Sequence, residues 1–175
     1  MNNSELVSAR LDKTVFNHAR LFGCNFTEAN LNGSSFYNAR VQMCRFYGAS
    51  LVQAILSGGQ FKDCNFGQAD LAGAKLRRSD LTRASMVRAN LLMCDLREVK
   101  LNGADLCGAT LTNARLVGAS LVGVDLRDAK LKGARELTSE QLASARTDQS
   151  TILPNGARGP YVKRSGAEKP VGLGI

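Results

Sequence analysis

The residues best suited to covalent or metal chemistry are five cysteines and a single histidine, His18. A zinc site or an activated thiol would need paired cysteines in a C-x-x-C spacing, or a histidine held beside a thiol, because ligands and bases must converge on one point. Neither arrangement is evident, and the motifs of phosphate-binding loops and zinc hydrolases do not occur. The sequence therefore predicts a protein with no catalytic residues, no metal and no cofactor.

Four of the cysteines occupy the same position in a regular pattern. Cys24, Cys44, Cys64 and Cys94 each stand two residues before a large apolar residue, in a slot otherwise filled by small residues. In an inward slot a thiol behaves as a compact hydrophobic group and is shielded from reagents. Cys107 directly follows a large residue, so we expect it to point outward and to be the most reactive of the five thiols.

The pattern that positions these thiols is a repeat of five residues. From Leu6 to Leu131 every fifth residue, 26 in all, is large and apolar. The residue just before it is often Asn or Asp, which tolerate tight turns and bond nearby backbone. A period of five fits neither an α-helix nor a flat strand. The chain must therefore turn at every repeat, with the large residue and its small predecessor pointing inward.

A longer period, equal to four pentads, is superimposed on the short one. Residues that stack in successive turns of a coil should share size, and several sets of like residues recur at this distance. They include Cys24, Cys44 and Cys64, the trio Phe26, Phe46 and Phe66, and an alanine series from Ala9 to Ala129. Four pentads per coil is the simplest account, although a period of two pentads also accommodates some of the phenylalanines.

Tandem units such as Ala69–Leu71 (A-D-L) and Ala89–Leu91 (A-N-L) resemble the A-(D/N)-L-x-x repeats of the pentapeptide-repeat family. The resemblance covers residues 4 to 135. It implies an all-β fold, a right-handed quadrilateral parallel β-helix, and a protein that binds partners with its outer faces. The best understood members protect DNA gyrase and topoisomerase IV, and some are proposed to imitate duplex DNA.

The chain divides into three predicted parts: the β-helix at 1–135, a C-terminal cap at 136–153 and a flexible, basic, Gly- and Pro-rich tail at 154–175. The cap should contain a short helix, because Thr138 and Gln141 match a capping box. Leu137 and Leu142 are spaced to cover the last turn of the coil. Capping matters because the end of a β-helix exposes unpaired backbone.

One side of the predicted coil carries a basic face. It consists of Lys75, Arg77, Arg78, Arg97 and Arg115, interrupted by Asp95 and Glu98. The formal net charge is +8, so nucleic acid or an acidic partner is electrostatically favoured. Nucleic acid is not the preferred partner, because interleaved aromatics and groove-reading helices are lacking. The same positive sign weakens the DNA-mimic model of gyrase binding.

The neighbouring side carries an apolar cluster of Val52, Leu92 and Met93, all predicted to point outward. Exposed apolar groups mark contact surfaces. The sequence therefore predicts a protein–protein interaction module or scaffold whose protein partner is unidentified. The alternatives are gyrase or topoisomerase IV binding, an anionic partner on the basic face, and a homodimer. With no signal peptide and no membrane-length apolar stretch, a cytoplasmic location without a membrane partner is expected.

Overall fold

The computed structural model describes residues 1–170 and shows the chain wound into a regular coil. Parallel backbone bridges join each bridged residue to the one four pentads later, from Asn2↔Phe22 to Arg115↔Arg135. In two places the pairing lengthens into regular strands, β1 (Arg20–Phe22) and β2 (Arg40–Gln42), which pair in parallel. Each turn of the coil therefore contains four pentads, and the chain is a β-helix-type solenoid in which each coil stacks on its neighbours.

The large residue of each pentad forms the core. From Leu21 to Leu131 these side chains are buried, whereas Leu6, Leu11 and Phe16 in the first coil are only partly buried. The ring centroids of Phe26, Phe46 and Phe66 are 4.9 and 4.7 Å apart with nearly parallel planes. This ladder of stacked rings confirms the four-pentad period inferred from the sequence.

The corners of the coil lie two residues after each large residue. Every fifth residue from Asn3 to Gly133 has a φ between +48° and +73°. Many of these residues are not glycine, and the left-handed conformation costs an ordinary residue roughly 1–2 kcal/mol. Core burial at every pentad must offset this repeated strain.

The Asn and Asp residues that precede the large residues stabilise the turns. Asn90 Oδ1 accepts a hydrogen bond from the backbone N–H of Leu92 at 3.2 Å, and Asp70 Oδ1 accepts one from Ala72 at 3.1 Å. These bonds bridge two residues along the chain and satisfy an amide group that the coil leaves free at the corner. They also fix the backbone from which Leu92 projects.

The single described helix, α1 (Ser139–Ala143), follows the last regular coil. Thr138 is its N-cap, and the side chains of Thr138 and Gln141 exchange the reciprocal bonds of a capping box. Gln141 Nε2 also donates to the carbonyl oxygens of Leu116 and Ala119, at 3.1 and 2.8 Å. Leu137 and Leu142 are both buried. Among residues 1–170, no helix is long and apolar enough to cross a membrane.

After α1 the chain continues to pair with the coil beneath it. Arg146 bridges Asp125, and Ile152 bridges Lys130. These two pairs exceed the four-pentad spacing by one and by two positions, so the regular register is lost here. Thr151 Oγ1 donates to the carbonyl oxygen of Leu126 at 3.0 Å. The segment 136–153 therefore adds irregular main-chain pairing as well as a helix.

Residues 154–170, which belong to the expected Gly- and Pro-rich tail, make side-chain contacts in the structure. Tyr161 Oη lies 2.7 Å from Ser139 Oγ and donates to Glu168 Oε2 at 2.9 Å, and Ala167 is buried. Tyr161 joins this stretch to the rest of the fold through a long-range contact that local composition does not reveal. Residues 171–175 of the expected tail lie outside the described residues.

Candidate partner-binding surfaces

The basic side consists of the five predicted residues Lys75, Arg77, Arg78, Arg97 and Arg115. The coil brings them together, because Lys75 bridges Asp95 and Asp95 bridges Arg115 in consecutive coils. Arg77, Arg78 and Arg97 project from outward slots at or next to a corner, whereas Arg115 lies in the bridged position before Leu116. The structure therefore places all five residues on one side of the coil.

Every arginine of the basic side donates a hydrogen bond to a carboxylate of the chain. Glu98 accepts hydrogen bonds from Arg77 at 2.9 Å and from Arg78 at 2.8 Å, so one acid bridges two arginines. These bonds hold the pKa of Glu98 below its usual range. The other two arginines are matched in the same way, Arg97 by Asp95 at 2.5 Å and Arg115 by Glu136 at 3.3 Å.

This pairing lowers the net positive charge of the basic side. The sequence analysis treated Asp95 and Glu98 only as interruptions of the basic face. Instead the acids lie within hydrogen-bond distance and neutralise most of the side internally. The four-pentad register was the signal that could have identified the Arg78–Glu98 pair.

The apolar cluster of Val52, Leu92 and Met93 lies along a second side. Val52 and Leu92 stand in the same column, two coils apart, and Ala72 fills the position between them. All three predicted residues are at least partly exposed, and Met93 is 62% exposed at a corner with φ +56°, in the left-handed region. They form one continuous apolar strip, with Ala72 as a member that the sequence reasoning missed.

Other exposed apolar side chains are scattered around the coil. The large ones among the described residues include Val15, Phe22, Tyr37, Met43, Tyr47, Val117 and Val122. All of them occupy slots that the five-residue pattern directs outward, so the pattern could have found them. None was singled out from sequence, and Val122 provides a matched control for Met93 because it is 61% exposed.

The cysteines occupy the positions that the repeat predicts. Cys24, Cys44, Cys64 and Cys94 are buried, and the backbone N–H of Cys24 lies 3.3 Å from Cys44 Sγ. Burial raises the pKa of Cys94 to about 12. Cys107 is partly exposed. In the described part of the chain, no group of three or more His, Cys, Asp or Glu residues could hold a metal ion.

We expect a thiol reagent such as DTNB to label Cys107 alone in the folded protein. Burial and the carboxylates of Asp125 and Asp105 raise the pKa of Cys107, so labelling should be slow near neutral pH and accelerate as the pH rises. The absorbance of released thionitrobenzoate measures this, with Cys107→Ser as the control. Rapid labelling of more than one thiol per folded chain would contradict the buried positions of the other four.

His18 occupies a corner with φ +59° and contacts Tyr37 edge-to-face, at 5.8 Å between ring centroids. It is exposed, and among the described residues its side chain makes no hydrogen bond with a cysteine or serine. Its position therefore gives no support to a nucleophile–base pair.

The comparison with curated proteins gives no significant match. Among solved structures, the chain is similar to the pentapeptide repeat protein Rfr23 from the cyanobacterium Cyanothece 51142, at 27% identity over 51% of this chain, with a TM-score of 0.46. That match spans 58% of the Rfr23 chain, less than two thirds of its length.

Two further solved structures are similar over most of their length. HetL, a pentapeptide repeat protein involved in heterocyst differentiation regulation from Nostoc sp. strain PCC 7120, is 26% identical over 90% of this chain and 88% of its own, with a TM-score of 0.24. Full-length QnrB1, a plasmid-mediated fluoroquinolone resistance protein, is 18% identical over 85% of this chain and 93% of its own, with a TM-score of 0.31.

The family model of pentapeptide repeats, which contains eight copies of the repeat, matches four overlapping segments. They are residues 4–42, 29–68, 64–103 and 100–135. Together the segments cover the coil from its first turn to its last regular turn, well over half of the sequence. The chain belongs to the pentapeptide-repeat family.

Proposed function

We propose that the protein is a non-enzymatic protein-binding scaffold, built as a right-handed quadrilateral β-helix at 1–135 with a cap at 136–153. The observation that carries the proposal is the contrast between two neighbouring sides. On the basic side the arginines are engaged by the protein's own carboxylates, whereas the apolar strip of Val52, Ala72, Leu92 and Met93 faces solvent.

The construction of the coil favours binding by a preformed surface. Main-chain hydrogen bonds join successive coils at each pentad, for example from Leu91 N–H to the carbonyl oxygen of Thr110 at 2.7 Å. A side chain that projects from such a backbone is held in place before the partner arrives. Because less conformational entropy is lost on association, even a modest contact area supports specific binding.

The chemistry of the apolar strip defines the partner class as a protein with a complementary apolar surface. Met93 is unbranched and adapts its shape to irregular surfaces. A second copy of the chain is the alternative occupant.

The four buried, free cysteines suit a reducing compartment, which supports a cytoplasmic location as part of the proposal.

Nucleic-acid binding is expected to be weak in the wild type and stronger in Glu98→Gln. The substitution removes the carboxylate that engages Arg77 and Arg78, which frees two cations for phosphate contacts. Fluorescence anisotropy with a labelled DNA duplex at several salt concentrations measures the effect. Glu140→Gln, which also removes an exposed acid, is the control. Tight, salt-sensitive binding by the wild type would contradict the protein-binding proposal in favour of nucleic acid.

Met93→Asp should abolish capture of a protein partner without unfolding the coil. Asp tolerates the left-handed corner at least as well as Met, so only the surface chemistry changes. Affinity purification with mass spectrometry from the native cell compares the wild type, Met93→Asp and Val122→Asp. The proposal expects a protein retained by the wild type and by Val122→Asp but lost from Met93→Asp. Retention of the same proteins by all three would exclude the apolar strip as the contact surface.

A further inference from the structure

Strands β1 and β2 place two arginines side by side at the N-terminal end of the coil. Arg20 of β1 and Arg40 of β2 are register partners, both exposed. Neighbouring strands lie about 4.8 Å apart, and like charges directly opposite each other on paired strands are destabilising. A negative charge between the two guanidinium groups would relieve this repulsion.

At several other places on the coil the chain supplies such a counter-charge itself. Arg83 is matched by Asp63, Lys62 by Asp80 and Arg127 by Asp125, in addition to the pairs of the basic side. The other register pair of arginines, Arg115 and Arg135, has Glu136 beside it. For Arg20 and Arg40, by contrast, no carboxylate oxygen among residues 1–170 lies within 4.0 Å of either guanidinium.

The two arginines line a surface cleft of about 230 Å³. Its other lining residues are Asn2, Leu21, Phe22 and Gln42. Amide N–H groups and guanidinium groups donate hydrogen bonds, and the planar fork of arginine matches the oxygens of a phosphate group. Phe22 is 46% exposed, and exposed aromatic rings are the side chains on which planar groups such as bases stack.

We infer that this cleft binds the phosphate group of a small phosphorylated compound, held between Arg20 and Arg40. The phosphate supplies the negative charge that the surrounding residues lack and relieves the repulsion between the two guanidinium groups. The cleft belongs to a different column from the apolar strip, so this inference is independent of the proposed function. Free phosphate and a nucleotide share the required chemistry, and only the nucleotide uses Phe22.

Isothermal titration calorimetry at low ionic strength tests the inference with inorganic phosphate, adenosine monophosphate and adenosine as probes. We expect saturable binding of the two phosphate-bearing probes and none of adenosine. Arg20→Gln and Arg40→Gln should each weaken binding by about tenfold or more, the loss that accompanies removal of a charge-assisted hydrogen bond. Arg45→Gln is the matched control, because Arg45 is exposed but has no arginine as a register partner.

The outcomes separate the two ligand sources. Tighter binding of the monophosphate than of phosphate, lost in Phe22→Ala, supports a nucleotide site, and equal affinities support a site for the phosphate group alone. Failure of both phosphate-bearing probes to bind would overturn the inference. It would also be overturned if Arg20→Gln and Arg40→Gln bound as the wild type does, or if Arg45→Gln weakened binding equally. Thermal melting of each variant checks that the fold is retained.

Discussion

Leu91→Ala is expected to lower the free energy of unfolding by about 2–5 kcal/mol, the range for deletion of a buried leucine side chain. Leu91 is fully buried in the middle of the coil, and its neighbours above and below are held by main-chain hydrogen bonds. Those bonds prevent the cavity from collapsing. Leu91→Lys should destabilise the fold further, because it places an unpaired charge in the core.

The adjacent residue provides the control for this prediction. Leu92 is the same residue type but is only partly buried, so Leu92→Ala should cost less than half as much as Leu91→Ala. Urea denaturation followed by circular dichroism gives the free energy of unfolding of each variant. Equal losses at the two positions, or a loss below about 0.5 kcal/mol for Leu91→Ala, would contradict the assignment of inward and outward slots.

Truncation after Arg135 is expected to cause the protein to associate. The missing segment provides the partners of the last coil, including the backbone N–H of Arg146 to the carbonyl oxygen of Val124 at 2.8 Å and that of Ile152 to Ala129 at 2.9 Å. It also buries Leu142 against the core. Removal leaves an open β-edge beside apolar side chains, which is a template for pairing with another chain.

Light scattering compares the truncated chain with two full-length variants. Leu142→Glu keeps the whole chain but destroys the apolar contact of the cap, so it should also increase the scattered mass. Glu140→Gln changes an exposed residue of the same helix and should remain monodisperse. Dispersity of the truncated chain and of Leu142→Glu equal to that of the wild type would rule out the capping role.

The period of the coil was predictable because burial imposes the same size demand on every stacked position. Phe26, Phe46 and Phe66 show this, since their rings stack directly and each must match the next. The short extent of the strands was less evident. Each side pairs over few residues before the next left-handed corner, so only β1 (Arg20–Phe22) and β2 (Arg40–Gln42) become regular strands in the described part of the chain.

The preferences of individual residues do not predict the backbone conformation at the corners. Arg78, Met93 and Glu98 all adopt positive φ, although none of them favours it. The closure of the coil imposes this geometry, and the free energy of core burial offsets its cost. A prediction from residue preference alone would have placed the turns only at glycine or asparagine.

The sequence indicates which side of the coil each arginine lies on but not which carboxylate it pairs with. Their positions within the pentads predict that Arg77, Arg78 and Arg97 lie on one side of the coil, and in the structure they lie on one side. The pairing of Arg77 and Arg78 depends on the conformations of long side chains that reach Glu98 in the next coil, which the position within a pentad does not determine. The packing of Tyr161 on Ser139 was missed for a similar reason, because the two residues are far apart in an irregular part of the chain.

The proposed function requires that another protein contacts the outer side that carries the apolar strip. A photo-cross-linking amino acid introduced at position 93, and separately at position 122, tests this contact directly in living cells. We expect a covalent adduct with one other protein from position 93 and none from position 122, two sites of nearly equal exposure. No adduct at position 93, equal adducts at both positions, or an adduct only with a second copy of this chain would contradict it.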